Sequence, residues 1–438
     1  MKSTVVPALV LLGPVLLASC SSDDSGAGST PSSNEFTFVT FNVALAGSFV
    51  PWEDQRRQPV VDAVAGLDAD VVCLQEAWRK SDKDLFEQAA RDRFPYSVRF
   101  EHNLDTPIDD PADQSGAVPP APTTAPCEAP QIKALFESII DCLVQHCSTI
   151  PGSDQGKTTT ATCAQDYCLA EAAPLLTGPD EQRCYGCAAT SLPVDTLADI
   201  RDRCETLPNA SLAFNGQSGV MMLSRYPLLD ADDWVLPGTW NRRVIIRATA
   251  KLPNGVDLDV YCNHLTPIFF DLAFPYTGQY GDGKTGPDGW AAEQSLQVKK
   301  LEAYVHQHSG DGRALILGDF NAGHEFRVDG HLVARAEGND AATLLDDAFD
   351  EALTSDYTPA CTFCASNPVT GLVGDWESAW IDHIYLHAIG VDAVRSTRRI
   401  LDDAPVSVTE DDGSGGTRQR KVPVSDHYGM EAVVEIAP

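Results

Sequence analysis

Short apolar runs, each closed by a polar motif, recur along most of this chain. Phe36–Phe41 runs into Asn42-Val43, and Val71–Leu74 into Gln75-Glu76. Val256–Cys262 runs into Asn263-His264, and Ala314–Leu317 into Gly318-Asp319-Phe320-Asn321. Nearer the C-terminus stand Trp380-Ile381-Asp382-His383 and Ser425-Asp426-His427. Apolar runs of this length, bounded by polar residues, predict buried strands. Polar groups at strand ends emerge together at one rim of a sheet, where open sheets build their sites. The chemistry of this chain is therefore expected at a single sheet edge, assembled from residues far apart in sequence.

The formal charge is −32 with a pI near 4.4. Duplex-binding proteins carry a basic footprint that neutralises phosphates, and no such footprint is visible here. At the N-terminus, Lys2 precedes an apolar stretch, Val5–Leu17, broken by Pro7, Gly13 and Pro14. It is too short to span a bilayer and reads as an export signal. Its end, Leu17-Ala18-Ser19-Cys20, resembles the lipobox of bacterial lipoproteins, which implies cleavage before Cys20, acylation of its sulfur and a lipid anchor in a membrane. Ordinary secretion with an incidental Cys20 is the alternative. Residues 1–20 are thus assigned to the signal and the Ser/Gly/Asp-rich residues 21–34 to a flexible tether.

The motif-bearing sequence falls into two blocks, 35–100 and 214–438, split by an insertion over 101–213. The insertion opens with a Pro/Ala/Asp-rich run and then holds Cys127, Cys142, Cys147, Cys163, Cys168, Cys184, Cys187 and Cys204, eight of the 13 cysteines. In an exported chain this even count predicts four disulfides, with pairing that sequence cannot assign. Apolar residues at helical spacing over Gln131–Val144 predict a small disulfide-stapled helical module. Cys184-x2-Cys187 with Cys361-x2-Cys364 offers a zinc site as the alternative to disulfides. Cys73 and Cys262, inside apolar strands, read as buried free thiols.

A helix over Lys83–Arg93 and a strand over Tyr96–Phe100 follow Glu76. A strand–helix–strand unit returns parallel to its start, so the insertion is expected to leave and rejoin the sheet at the motif-bearing rim. There it forms a wall or lid over the site, or it faces away.

Each motif has its own chemistry. Glu76 closes a buried strand, and a buried carboxylate needs a partner or a metal. Hard oxygen donors from Glu76 and Asn42 suit magnesium, with manganese or calcium as alternatives. Asp319 and Asn321, two apart on an extended chain, point the same way. The carboxylate can then orient and deprotonate water while the amide donates where negative charge develops. His264 taken singly reads as a satisfied structural histidine. Asp382 and His427 form a natural acid–imidazole pair, and Asp426 is placed to reach a metal or its water shell. His383, on the opposite face, is expected to be structural.

Together the six motifs resemble, in order, those of the endonuclease/exonuclease/phosphatase superfamily. The resemblance covers both core blocks and leaves the insertion unmatched. It implies a four-layer α/β sandwich of two packed mixed sheets flanked by helices, and metal-activated hydrolysis of phosphoester bonds. By motif, Asn42 and Glu76 resemble metal-site residues, Asp319 the water-activating acid, and Asn321 and His264 phosphoryl binders. Asp382 with His427 resembles the orienting pair, with Asp426 beside the metal. His264 at a position where abasic-site enzymes tend to carry Tyr sets the chain nearer the deoxyribonuclease and sphingomyelinase branch.

Arg242-Arg243 is a tight basic pair near the core, offering either a substrate phosphate contact or a surface role. The aromatic loop Pro267–Tyr276 starts at the same rim and suits either lipid contact or packing beneath the insertion. The leading expectation is an exported, membrane-tethered, monomeric, magnesium-dependent phosphodiesterase. A secreted endonuclease, a sphingomyelinase-type phospholipase and a non-catalytic surface binding module are the alternatives.

Overall fold

The computed structural model describes residues 34–438 apart from 110–122, 148–159, 193–194, 209, 271–273, 359, 373, 375–376, 413 and 415. The expected signal, Cys20 and the tether before residue 34 lie outside the described residues. Among the described residues, no helix is long and apolar enough to cross a membrane.

The first of two six-stranded sheets is built from β1 (Glu35–Leu45), β2 (Val71–Ala77), β3 (Tyr96–Val98), β4 (Met221–Ser224), β13 (Val394–Ile400) and β16 (Gly429–Glu435), in the order β13-β16-β1-β2-β4-β3. The second comprises β5 (Leu228–Leu236), β6 (Arg243–Lys251), β7 (Asp257–His264), β8 (Ala314–Asp319), β11 (Asp350–Glu351) and β12 (Asp382–His387), in the order β11-β12-β8-β7-β6-β5. Two hairpins, β9 (Phe326–Val328) with β10 (His331–Ala334) and β14 (Val406–Asp411) with β15 (Thr417–Val422), decorate the sheets.

Strand side chains alternate between faces, and the apolar clusters follow that period. Phe36 and Phe38 of β1 pack into the space between the sheets with Val260, Leu315 and Val434. Val39 and Phe41, of the opposite parity, face outward and pack with Val60 and Val64 of helix α1 (Glu53–Ala65) and Phe86 of α2 (Lys80–Ala90). On the far side of the second sheet, Tyr261 and Ile316 pack with Leu301 and Val305 of α8 (Gly286–Ser309) and Leu345 of α9 (Asn339–Ala348). The result is the four-layer α/β/β/α sandwich.

The alternation also corrects one expectation. Cys73 and Cys262 are not free thiols: they form a disulfide between β2 and β7, with Cα atoms 5.4 Å apart. Both side chains point into the inter-sheet space, so two cysteines 189 residues apart meet across the core.

The helix after Glu76 begins three residues earlier than its apolar spacing predicts, and the strand after it is limited to Tyr96–Val98. The predicted direction holds, because β3 is antiparallel to β4, which is itself antiparallel to β2. Between β3 and β4 lie α3 (Pro130–His146), α4 (Thr160–Tyr167), α5 (Leu169–Ala172), α6 (Pro179–Ser191) and α7 (Leu197–Thr206). They share a core of their own in which the eight cysteines pack with Ile132, Phe136, Ile140 and Leu175. The pairs are Cys127–Cys184, Cys142–Cys168, Cys147–Cys163 and Cys187–Cys204. With Cys361–Cys364 also bonded, the thiols of the zinc alternative are all consumed. Six disulfides are the mark of an exported protein.

Candidate active site

The topology explains why distant motifs meet. β1 and β2 are parallel neighbours, as are β7 and β8, so Asn42, Glu76, His264 and Asp319 lie at C-terminal ends pointing one way. β12 and β16 run antiparallel to β8 and β1. Their starts, at Asp382 and just after His427, therefore fall at the same rim. Register sets the second sheet's contribution, since Asp319 pairs with His264 on one side and with Asp382 on the other. β7 and β8 approach so closely that a Cβ at Gly318 would stand 2.5 Å from the Asn263 carbonyl oxygen. Glycine before Asp319 is a packing requirement.

Asp319 is the hub. Its Oδ2 accepts from Asn42 Nδ2 at 2.9 Å, and its Oδ1 accepts the Asn321 backbone N–H at 2.9 Å. His264 Nε2 stands 3.5 Å and His427 Nε2 3.8 Å from the same Oδ2. His427 Nδ1 donates to Asp382 Oδ2 at 2.8 Å. Ser425 ties the segment before β16 to its neighbour β1 here, donating to the Asn42 carbonyl at 2.7 Å and accepting the His427 N–H at 3.1 Å.

The two imidazoles are driven to opposite states. Burial, reinforced by Arg243 and His427, holds His264 well below the ordinary imidazole range and so neutral. Burial also opposes a charge on His427, but Asp382 and Asp319 outweigh it and hold that ring cationic. Burial, then Asp382, raises Asp319 to about 6. Burial, then Asp426, raises Glu76 to about 7, with Asp319 adding to the shift and His427 and Asn42 opposing it.

This crowding of acids tests the fit of a divalent cation. Asp319, Asp382 and His427 present ligand atoms within 4.8 Å of one another. Their arrangement, however, is a hydrogen-bonded imidazolium between two carboxylates, which already has its positive charge. Asp426 raises Glu76 against the partial relief that His427 gives, and an oxygen-binding divalent ion beside the two carboxylates would relieve their mutual repulsion. Asn42 bonds Asp319 through its amide and opposes the rise of Glu76, so it stands between the two groups of acids.

Three non-glycine residues at this rim have positive φ: Ala44 at 51°, Glu76 at 60° and Asn321 at 50°. Each such conformation costs on the order of 1 kcal/mol or more. Asn321 corrects the extended-chain expectation. The backbone turns there, so its side chain does not run beside that of Asp319 but donates to the Leu265 carbonyl at 3.0 Å. His383 is structural as expected, bonded to Glu351 and to the Ala322 carbonyl.

Arg243 is the residue that sequence reasoning left undecided. Arg242 donates to the carbonyls of Gly216 and Asn103 and is structural. Arg243 is buried, and its Nε and Nη1 find no hydrogen-bond partner among the described residues. Burial lowers it to about 10, opposed by Glu76 and Asp319. A guanidinium facing the site with donors to spare is a ready clamp for a phosphoryl oxygen.

The aromatic loop packs rather than projects. Phe269 and Phe274 join Trp240, Tyr276 and Trp290, with Ala189 of α6 against them, and Phe270 stands out, 67% exposed. The helical module thus sits on the rim loops. A shallow apolar groove is lined by Ile139, Leu169 and Tyr185 of the module, by Phe49 after β1 and by Phe274 after β7.

The sequence model described as Endonuclease/Exonuclease/phosphatase family matches residues 39–427. No curated protein matches. Among solved structures, sphingomyelinase C from Streptomyces griseocarneus is similar at 15% identity and a TM-score of 0.47, over 91% of this chain and 99% of that one. A beta toxin mutant from Staphylococcus aureus with bound magnesium ions is similar at 13% identity and a TM-score of 0.47, over 91% and 99%. A Bacteroides thetaiotaomicron protein of the same family is similar at 11% identity and a TM-score of 0.43, over 92% and 98%. From its matched length and its rim of acids and imidazoles, the chain belongs to the endonuclease/exonuclease/phosphatase family of metal-dependent phosphoester hydrolases.

Proposed function

We propose that this protein is a magnesium-dependent phosphodiesterase that hydrolyses its substrate by in-line attack of water activated at Asp319. The observation that carries the reading is the surroundings of Asp319: a buried carboxylate aligned by two amides, with a neutral and a cationic imidazole facing the same oxygen. Raised to about 6, it is a better base near neutrality than an ordinary carboxylate. It would accept the proton of the attacking water. His427, kept positive by Asp382, and neutral His264 would donate to the phosphoryl oxygens as charge accumulates, with Arg243 beneath them. Glu76 and Asp426, with Asn42 beside them, would hold the ion. When bound, it supplies a Lewis acid that neutralises phosphoryl charge. Asn321 keeps the Asp319 loop in place.

Charge balance favours a diester. Asp319, Asp382, Glu76 and Asp426 face one imidazolium and one guanidinium, so a single divalent ion brings the set near neutrality. A monoanionic diester suits that balance better than a dianionic monoester. The acidic surface argues against a polyanionic nucleic acid.

The test is hydrolysis of bis-p-nitrophenyl phosphate, p-nitrophenyl phosphate, DNA and sphingomyelin vesicles, with and without magnesium. Diester turnover that requires magnesium and vanishes in Asp319→Ala supports the reading. A folded protein inert on every diester, or full activity in Asp319→Ala, overturns it.

A further inference from the structure

Asp382 and His427 come from different sheets. Asp382 opens β12 in the second, and His427 precedes β16 in the first. No strand ladder joins those two strands, so ordinary sheet hydrogen bonding leaves their separation open. What lies between them is the segment Cys361–Asn367, closed at its start by the Cys361–Cys364 disulfide. Its bonds run to both sides.

On the Asp382 side, Thr362 Oγ1 accepts the backbone N–H of Ile381 at 3.1 Å and of Asp382 at 3.2 Å. Thr362 and Phe363 both donate their N–H to the Ala379 carbonyl at 3.0 Å, and Phe363 accepts the Ala379 N–H at 2.8 Å. On the His427 side, the Thr362 carbonyl accepts the Tyr428 N–H at 2.9 Å. The Phe363 ring packs against the His427 imidazole with centroids 5.0 Å apart. Asn367 Nδ2 donates to the carbonyls of Ser425 at 2.9 Å and Asp426 at 3.0 Å. Thr362, Cys364 and Asn367 are buried. Arg399 secures the outer end by donating to the Cys361 carbonyl at 2.9 Å.

We propose that Thr362, Phe363 and Asn367, held in shape by the Cys361–Cys364 disulfide, are positioning residues that set the Asp382–His427 hydrogen bond across the two sheets. The proposal rests on the phosphodiesterase reading for its kinetic consequence but not for its geometry. This disulfide closes the shortest loop of the six, with a separation of 3 residues. Its restriction of the unfolded chain is therefore the smallest of the set, and its effect should fall on local geometry. Thr362 is the sharpest handle, because valine keeps its shape and removes the oxygen that accepts two N–H groups.

The experiment compares wild type with Thr362→Val, Thr362→Ser and the double variant Cys361→Ser/Cys364→Ser. One readout is turnover of bis-p-nitrophenyl phosphate at saturating magnesium. The other is the low-field proton NMR signal of the His427 Nδ1–H hydrogen-bonded to Asp382. Thr362→Val and the double variant should lower kcat about 10- to 100-fold, the scale of a catalytic group misplaced by about an ångström. KM and the half-saturating magnesium concentration should stay unchanged, and the low-field signal should weaken or disappear. Thr362→Ser should restore both. Unchanged kcat and signal in folded Thr362→Val overturn the proposal, and so does a kcat loss in Thr362→Ser equal to that in Thr362→Val. If the double variant does not fold, the two Thr362 variants decide. Wild type inert on diesters would remove the phosphodiesterase reading alone, because the NMR signal still reports on the positioning.

Discussion

The catalytic core and the cysteine-rich module solve the same problem by different means. The core buries apolar strand faces between two sheets and under two helical layers, and its internal cross-link, Cys73–Cys262, spans 189 residues. The module has short helices around a small apolar centre, stapled by bridges that span 57, 26, 17 and 16 residues. Small assemblies of this kind cannot bury enough surface to hold themselves together without covalent links. The core carries crowded acids and positive-φ backbone at its rim, where the module carries covalent links through its centre. The contrast places the chemistry on the sheets, with the module packed against the rim loops.

The contrast can be broken most sharply at the site itself. Asp319→Ala should reduce diester turnover by about 1,000-fold or more, while its thermal midpoint stays level or rises because a buried charge is gone. A variant that unfolds would show that the rim supports the core rather than burdening it.

Next come the bridges. In the chain-entropy picture, replacing Cys73 and Cys262 with valine should cost about 5 kcal/mol, against about 3 kcal/mol for replacing Cys147 and Cys163 with serine. The first loss should appear in the cooperative unfolding of the whole sandwich in urea. The second should appear as early proteolysis within the module while the core transition is unmoved. Equal effects on one shared transition would erase the distinction.

Arg243→Gln should lower kcat/KM about 10- to 100-fold, the worth of one or two charge-assisted hydrogen bonds, without a stability loss. Unaltered kinetics would return Arg243 to a structural role.

The smallest effect is the pH response of the metal-free protein. Glu76 is raised from 4.5 to about 7 and Asp319 from 3.8 to about 6. Raised acids bind protons more tightly folded than unfolded, so their favourable contribution is complete below about pH 4 and is lost as pH climbs through 6 to 7. The midpoint of the metal-free protein should fall by a few degrees over that window. Magnesium should restore it, and more so at pH 7.5 than at pH 5, as differential scanning calorimetry would show. A magnesium effect independent of pH would contradict Glu76 as the ion's neighbour.

Much of this arrangement was legible before any coordinates. Apolar runs ending in Asn42, Glu76, His264 and Asp319 identify strands and their polar ends, and the count of cysteines between the two blocks marks the disulfide module. The turn at Asn321 was not legible, because positive φ at a non-glycine residue is enforced by its surroundings, here the bonds to Asp319 and Leu265. Nor was the choice between Arg242 and Arg243: adjacent residues on a strand face opposite ways, and only the packing shows which way is the site.

Chemical identity and local periodicity are properties of neighbours along the chain, so the kinds of groups, the strands that carry them and the compartment of an exported, cysteine-rich protein could be read directly. Contacts between the sheets are different. The Cys73–Cys262 bridge, the charge on His427 beside a neutral His264, and the spacer of Thr362 and Asn367 between Asp382 and His427 all depend on which faces meet in space. Distance along the chain carries no information about that meeting, and burial, which sets each of those states, exists only once the two sheets have closed.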